Sequence, residues 1–274
     1  MHNRRMRVRT VIFGFFGVVL FWAVYADYSL GLARYFTEDS SLNLQGAGTW
    51  GDSFGGFNAF VSTIGAIVVI ATLTLQQRSI RYQAIDTHKQ QFESSFFELM
   101  RLMREVRNEL TFKHSIKYRS IRISRGAPTL SLRRTYRGLD AIAYALVEIF
   151  FWHKEAGELS SSTRERMQEL YDSSVLSPNG DTFSAYFRII YSVLYKIKND
   201  KVLTEQEKFS YGNLIRSQLT ARELYLLAYN STHKVSKDLE SLLVYFRIFK
   251  YMPDGKRRSR IEGNFDPDAF KERS

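Results

Sequence analysis

Two long, nearly uncharged apolar runs close to the N-terminus constrain this chain more than any other feature. The first covers about residues 10–28 and the second about residues 57–76. A helix that crosses a bilayer needs about 20 mainly apolar residues, and both runs approach that length. A helix buried inside a soluble protein is rarely apolar on every side over such a distance. The sequence therefore predicts two transmembrane helices.

A cleaved signal peptide is the alternative interpretation of the first run, because arginines precede a short apolar core. No small-x-small cleavage site follows this core cleanly. Trp22, Tyr25 and Tyr28 lie towards its end, where transmembrane helices place aromatic side chains at the membrane surface. These features favour a retained helix over a cleaved leader.

The distribution of basic residues predicts the orientation, since basic loops stay on the cytoplasmic side. Four arginines precede the first run, and Arg78, Arg81 and Lys89 follow the second. Between the runs, one arginine stands against three acidic residues. We therefore expect a multi-pass protein of the bacterial inner membrane with both termini cytoplasmic, in which residues 1–78 form the membrane anchor.

The chain beyond the second run is predicted to begin with a long helix. Neither Gly nor Pro occurs between Ala66 and Gly126, so the second span should continue into this helix. Apolar residues follow mostly at alternating spacings of three and four, which is typical of a buried seam. The seam residues are Tyr82, Ile85, Phe92, Phe96, Leu99, Met103, Val106 and Leu110. The seam packs either against other helices of the same chain or against a second copy, which would give a homo-oligomer.

Six further helices are predicted, near residues 139–156, 162–172, 183–198, 204–218, 221–229 and 235–250. Three begin with capping boxes, in which a hydroxyl and a carboxylate bind free backbone N–H groups. The pairs are Ser162 with Glu165, Thr204 with Glu207, and Thr220 with Glu223. Residues 177–180, Ser-Pro-Asn-Gly, predict a loop. Because no two-residue alternation is sustained, the predicted fold class is all-α, with a cytoplasmic helical domain at 79–252 and a loose, polar, basic tail at 253–274.

Positive charge is concentrated in a basic stretch at residues 113–137, which contains no acidic residue. Its cations are Lys113, Lys117, Arg119, Arg122, Arg125, Arg133, Arg134 and Arg137. Gly126 and Pro128 are expected to break the stretch into two arms. The net charge of the chain is +11, which implies an anionic partner. Lipid headgroups and nucleic acid both fit this charge, which does not separate them.

Catalytic motifs are scarce, and we expect neither an enzyme nor a bound metal or cofactor. The chain has no cysteine, and it lacks the usual phosphate-binding, serine-hydrolase and zinc-protease motifs. One pattern stands out: Arg107-Asn108 followed by His114 resembles the motif of HEPN ribonucleases, in which the histidine acts as acid or base on RNA. At a spacing of seven, the two side chains would share one helical face. A membrane-tethered ribonuclease using Arg107 and His114 is therefore an alternative function.

Several segments together are similar to one known family. Residues 50–58 lead into the second span, and residues 92–100, 186–191, 214–224 and 227–230 follow in order. These segments resemble the putative phage abortive infection protein family. The residues that carry the resemblance most clearly are Trp50, Gly51, Asp52, Gly55, Gly56, Asn58, Phe96, Phe97, Arg216, Gln218, Glu223 and Asn230.

The resemblance implies a bacterial anti-phage effector that arrests or kills the infected cell. Two-span effectors accompany some retrons, so a reverse transcriptase with its DNA product is an expected kind of partner. Gly55 and Gly56 provide a pivot just before the second span. We hypothesise that infection releases or assembles the cytoplasmic domain and that the spans then perturb the inner membrane. A third interpretation is a non-toxic scaffold that holds a nucleic acid or a partner protein at the membrane.

Overall fold

The computed structural model describes residues 55–157 and 162–271, together with Tyr35 and Asp52. The first predicted span, about residues 10–28, lies outside the described residues. The chain divides into two compact units, residues 1–82 and 83–274.

The described part of the chain is almost entirely helical, so the predicted all-α class is confirmed. The α-helices are α1 (Gly55–Glu109), α2 (Ile116–Ser124), α3 (Thr129–Arg133), α4 (Gly138–Glu155), α5 (Arg164–Tyr171), α6 (Ser177–Asn199), α7 (Glu205–Gln218), α8 (Ala221–Thr232), α9 (Lys237–Tyr245) and α10 (Lys256–Glu262). Two-residue strands, β1 (Thr111–Phe112) and β2 (Tyr136–Arg137), pair in antiparallel register. A π-helical turn, Asp172–Leu176, joins α5 to α6.

Helix α1 is the long helix that the absence of Gly and Pro predicts, and it contributes residues to both units. The seam is buried at Phe92, Phe96 and Met103. Tyr82 and Ile85 are 70% and 44% exposed, so packing within the described part of the chain does not bury the beginning of the seam. The buried seam therefore occupies the later part of α1.

Helix α8 is the central helix of the second unit. It packs against α4, α5 and α9, and every residue from Glu223 to Thr232 is buried. Its capping box forms as predicted, since Thr220 accepts from the Glu223 N–H and Glu223 binds the Thr220 N–H in return. The second predicted capping box, Thr204 with Glu207 at the start of α7, is also present.

Two local predictions were wrong. Helix α5 begins one residue later than the proposed box at Ser162, and the hydroxyl that accepts from a backbone N–H is that of Thr163. Residues 177–180 belong to the start of α6 rather than to a loop, although the helix is kinked there at Asn179, which has non-helical dihedral angles. The Asn179 amide instead pairs with the backbone of Lys113, donating to its carbonyl and accepting from its N–H.

The C-terminal tail is folded, contrary to the prediction of a loose end. It contains α10 and a short 3-10 helix, Pro267–Ala269. Ile261, Phe265 and Ala269 are buried, and Phe249 packs edge-on against Phe265 with ring centroids 5.2 Å apart. These apolar residues hold the segment on the core although the surrounding sequence is strongly charged.

Candidate functional site

The N-terminal part of α1 exposes apolar side chains all around the helix. Among the described residues, this is the one helix long and apolar enough to cross a membrane. The exposed residues are Phe60, Val61, Ile64, Ile67, Val68, Val69, Ile70, Leu73 and Leu75. Exposure of such a surface to water is unfavourable, so contact with lipid or with an apolar partner would stabilise it.

Polar groups in this part of α1 are largely satisfied within the helix. The hydroxyl of Thr63 donates to the carbonyl of Ala59 at 2.7 Å. Thr72 and Thr74 likewise donate to backbone carbonyls at 2.8 and 2.7 Å. A hydroxyl bonded in this way needs no water, which suits a hydrocarbon environment. The composition and the hydrogen bonding of the segment therefore both fit a membrane.

The family-motif residues of the N-terminal half lie at the start and in the later part of α1. Gly55, Gly56 and Asn58 fall in its first turn, and Asp52 is exposed just before it. Trp50 and Gly51 lie outside the described residues. Phe96 is buried, whereas its neighbour Phe97 is 57% exposed.

The basic stretch forms a compact substructure, here called the basic hairpin and defined as residues 111–137. Strands β1 and β2 pair at its base, with Thr111 opposite Arg137 and Phe112 opposite Tyr136. Helices α2 and α3 form two arms that contact each other, as the break at Gly126 and Pro128 predicted. Gly126 has a φ of +82°, a left-handed conformation that favours glycine.

A buried carboxylate on α4 binds the base of the basic hairpin. His114 Nδ1 lies 2.8 Å from a carboxylate oxygen of Glu148 on α4, and these residues are 3% and 0% exposed. The Ser115 N–H donates to the same carboxylate at 3.1 Å. Glu148 was missed by the sequence analysis, although a lone carboxylate within the apolar run of α4 is a signal of a buried polar partner.

Aromatic rings of the basic hairpin point inwards. Tyr118 stacks on His114 with centroids 4.4 Å apart, and Tyr136 stacks on Tyr144 of α4 at 3.5 Å. Burial raises the pKa of both the Tyr118 and the Tyr136 hydroxyl. These rings therefore belong to the packing of the hairpin against α4.

Six of the eight cations of the basic hairpin are exposed, whereas Arg119 and Arg122 are half-buried. Arg125 forms an ion pair with Glu155 at 2.6 Å, and the Lys117 ammonium lies 5.0 Å from the Trp152 ring centre. The other six cations of the basic hairpin have no ion-pair partner within the described part of the chain. They are Lys113, Arg119, Arg122, Arg133, Arg134 and Arg137.

Arg107 and His114 do not share a helical face, so that part of the ribonuclease interpretation was wrong. Helix α1 ends at Glu109, and β1 separates the two residues. Arg107 Nη1 donates to the carbonyl of Gln218 at 3.1 Å and lies 3.4 Å from Glu223. The two residues are thus bound to different buried glutamates.

Glu223 is the centre of a second buried polar cluster. It is 1% exposed, and it accepts from the hydroxyl of Tyr186 as well as from Arg107. Burial and the nearby carboxylate raise the pKa of Tyr186 well above its usual value. Tyr186 thus stays a hydrogen-bond donor, and the cluster joins α1, α6 and α8.

Arg216 and Asn230 complete the set of predicted site residues. Arg216 donates to the carbonyl of Arg247 at 3.2 Å, and its guanidinium lies 4.9 Å from the Tyr251 ring centre. Asn230 lies in the wall of a cleft of about 540 Å³ between α6, α8 and α9. Its amide donates to the Tyr171 hydroxyl at 3.0 Å.

These observations define a mostly helical protein with a membrane-compatible apolar helix and a basic hairpin. The family model described as putative phage abortive infection protein matches residues 179–257, which supports the family predicted from the sequence. The matched segment includes most of α6 and all of α7, α8 and α9, and with them Tyr186, Glu223 and Asn230. No curated protein and no solved structure matches the chain.

Proposed function

We propose that this protein is a membrane-anchored effector of abortive infection. It arrests or kills the phage-infected cell by perturbing the inner membrane after its cytoplasmic helical domain, residues 79–252, is released or assembled. In this proposal both predicted spans lie in the bilayer and both termini face the cytoplasm.

The observation that carries the proposal is the exposed apolar surface of α1 between Asn58 and Leu75. The family match supports a role in phage defence, and the apolar surface supports the membrane as the target, because such a surface is more stable in lipid than in water. Helix α1 also provides Phe92, Phe96 and Met103 to the core of the second unit. A change in the packing of these residues therefore acts on the same helix that carries the apolar segment.

A single substitution within α1 tests the membrane requirement. Ile67 is 60% exposed and lies near the middle of the apolar segment. Ile67→Lys places a charge there, which costs about 2.5–3.5 kcal/mol at the centre of a transmembrane helix. We expect this variant to lose phage protection and to decrease in the membrane fraction.

The matched control is Ile67→Leu, which keeps the side chain apolar. This variant should retain phage protection and remain in the membrane fraction. Phage protection is measured from plaque counts, and the location of the protein is measured by cell fractionation. Both measurements use the same cultures. Full protection by an Ile67→Lys protein recovered in the soluble fraction would show that the apolar segment does not act in the membrane.

A further inference from the structure

Aliphatic side chains lie exposed among the cations of the basic hairpin. Leu130 on α3 is 89% exposed, and Ile116 on α2 is 75% exposed. No acidic residue occurs between Glu109 and Asp140. A surface that combines unpaired cations with exposed aliphatic groups fits a boundary where negative charge adjoins hydrocarbon.

We propose that the basic hairpin binds the surface of an anionic phospholipid membrane. Its cations contact lipid phosphates, and Leu130 and Ile116 insert among the headgroups. The inference rests on the proposed membrane location of the chain, and it adds a second, reversible membrane contact outside the transmembrane segments.

Nucleic acid is the other polyanion that eight cations could bind, and the hairpin suits it less well. Single-stranded nucleic acids are held by aromatic side chains on which bases stack. The three aromatic residues of the hairpin, Phe112, Tyr118 and Tyr136, are all buried. Exposed aliphatic side chains gain nothing from a phosphate backbone, whereas they gain free energy in a lipid interface.

The hairpin is held at its base and leaves its arms accessible. Pairing of β1 with β2, the Asn179 contact with Lys113 and the His114–Glu148 pair all lie at the base. The exposed cations Arg133 and Arg134 follow Leu130 closely in α3 and at its end. Lipid binding at the arms therefore needs no rearrangement of the buried contacts.

The experiment uses the full-length chain in nanodiscs and relies on the absence of native cysteine. Leu130→Cys is labelled with an environment-sensitive fluorophore. In nanodiscs containing phosphatidylglycerol we expect the fluorophore emission to shift to the blue and to be quenched by lipid-bound spin labels. In phosphatidylcholine nanodiscs we expect neither the blue shift nor the quenching. Added salt and the double substitution Arg133→Gln, Arg134→Gln should both reverse the shift.

The matched control is Val235→Cys, since Val235 is also aliphatic and 88% exposed but lies outside the hairpin. Its label should not respond to lipid charge. An unresponsive Leu130 label on protein that is stably incorporated in anionic nanodiscs overturns the inference while leaving the proposed membrane location intact. An equal response in both lipids, or the same blue shift caused by an oligonucleotide in neutral nanodiscs, also overturns it.

Discussion

Glu148 is a residue on which the base of the basic hairpin depends. Glu148→Ala leaves the His114 ring nitrogen and the Ser115 N–H buried without their acceptor. We expect the free energy of unfolding to fall by about 2–5 kcal/mol, the cost of two unsatisfied buried groups. Thermal unfolding of the purified, detergent-solubilised chain measures this loss. Glu155→Ala on the same helix removes only an exposed ion pair with Arg125 and should change the melting temperature much less.

Gly212 allows α7 to pack closely against Phe246. A methyl group at residue 212 would overlap the Phe246 ring. Gly212→Ala is therefore expected to lower the free energy of unfolding by about 1–3 kcal/mol through overpacking, although alanine has the higher helix propensity. Gly263→Ala is the control, because nothing lies within 4 Å of the methyl group it would add. Equal melting temperatures for the two variants would contradict the close approach.

Contacts between residues that are close in the sequence were predictable, whereas contacts between residues that are far apart in the sequence were not. Thr204 and Thr220 cap their helices as expected, because a capping box is contained within four residues. Glu148 is 34 residues from His114, and Asn179 is 66 residues from Lys113. No spacing rule connects such pairs, since they meet only after the chain folds.

At the scale of elements, polar contacts fix α1 against α7. Lys89 forms an ion pair with Glu207 at 2.5 Å, and the Tyr211 hydroxyl donates to Glu93 at 2.9 Å. Burial and this acceptor raise the pKa of Tyr211 to about 12. Hydrogen bonds from Lys89 and Thr204 hold the pKa of Glu207 at about 2, below its usual 4.5.

This lowered pKa predicts a pH dependence of the contact between α1 and α7. The stabilisation by Glu207 is fully present above pH 4.5 and is lost as the pH falls through about 2, because protonation removes the negative charge that pairs with Lys89. The melting temperature of Glu207→Gln should lie below that of the wild type at pH 6, and the difference should narrow towards pH 2. A control variant, Glu169→Gln on α5, should not show this narrowing. A difference independent of pH would contradict the role of the Glu207 charge.

Regular elements with strong apolar spacing were predictable from sequence, and their ends less so. The run without Gly or Pro predicted that α1 is long, but it did not predict that the helix ends at Glu109. The exposure of Tyr82 and Ile85 depends on whether another element reaches them. The tail was misjudged because α10 contains four basic residues, which suggested a solvated segment, although one of them, Arg260, and its neighbour Ile261 are buried. Charge density describes the average surface of a segment and not the few side chains that anchor it.

At the scale of the whole molecule, α1 carries both the exposed apolar segment and part of the core of the second unit. Residues of α1 take part in both compact units, and the family match lies in the second. Weakening the core around Phe96 should therefore change effector activity, whereas a change on the exposed side of α1 should not. We expect Phe96→Ala to alter growth of uninfected cells that express the protein, at equal protein levels. Phe97→Ala, which removes a 57% exposed ring, is the control and should grow like the wild type.

The most direct test of the central claim follows membrane potential in single infected cells that express the full-length protein. A potential-sensitive dye and a dye excluded by intact membranes are recorded together with growth after phage addition. The account predicts that the potential collapses or the excluded dye enters as growth stops, and that Ile67→Lys cells show neither change. Growth arrest with both the potential and dye exclusion preserved would contradict membrane perturbation as the mechanism.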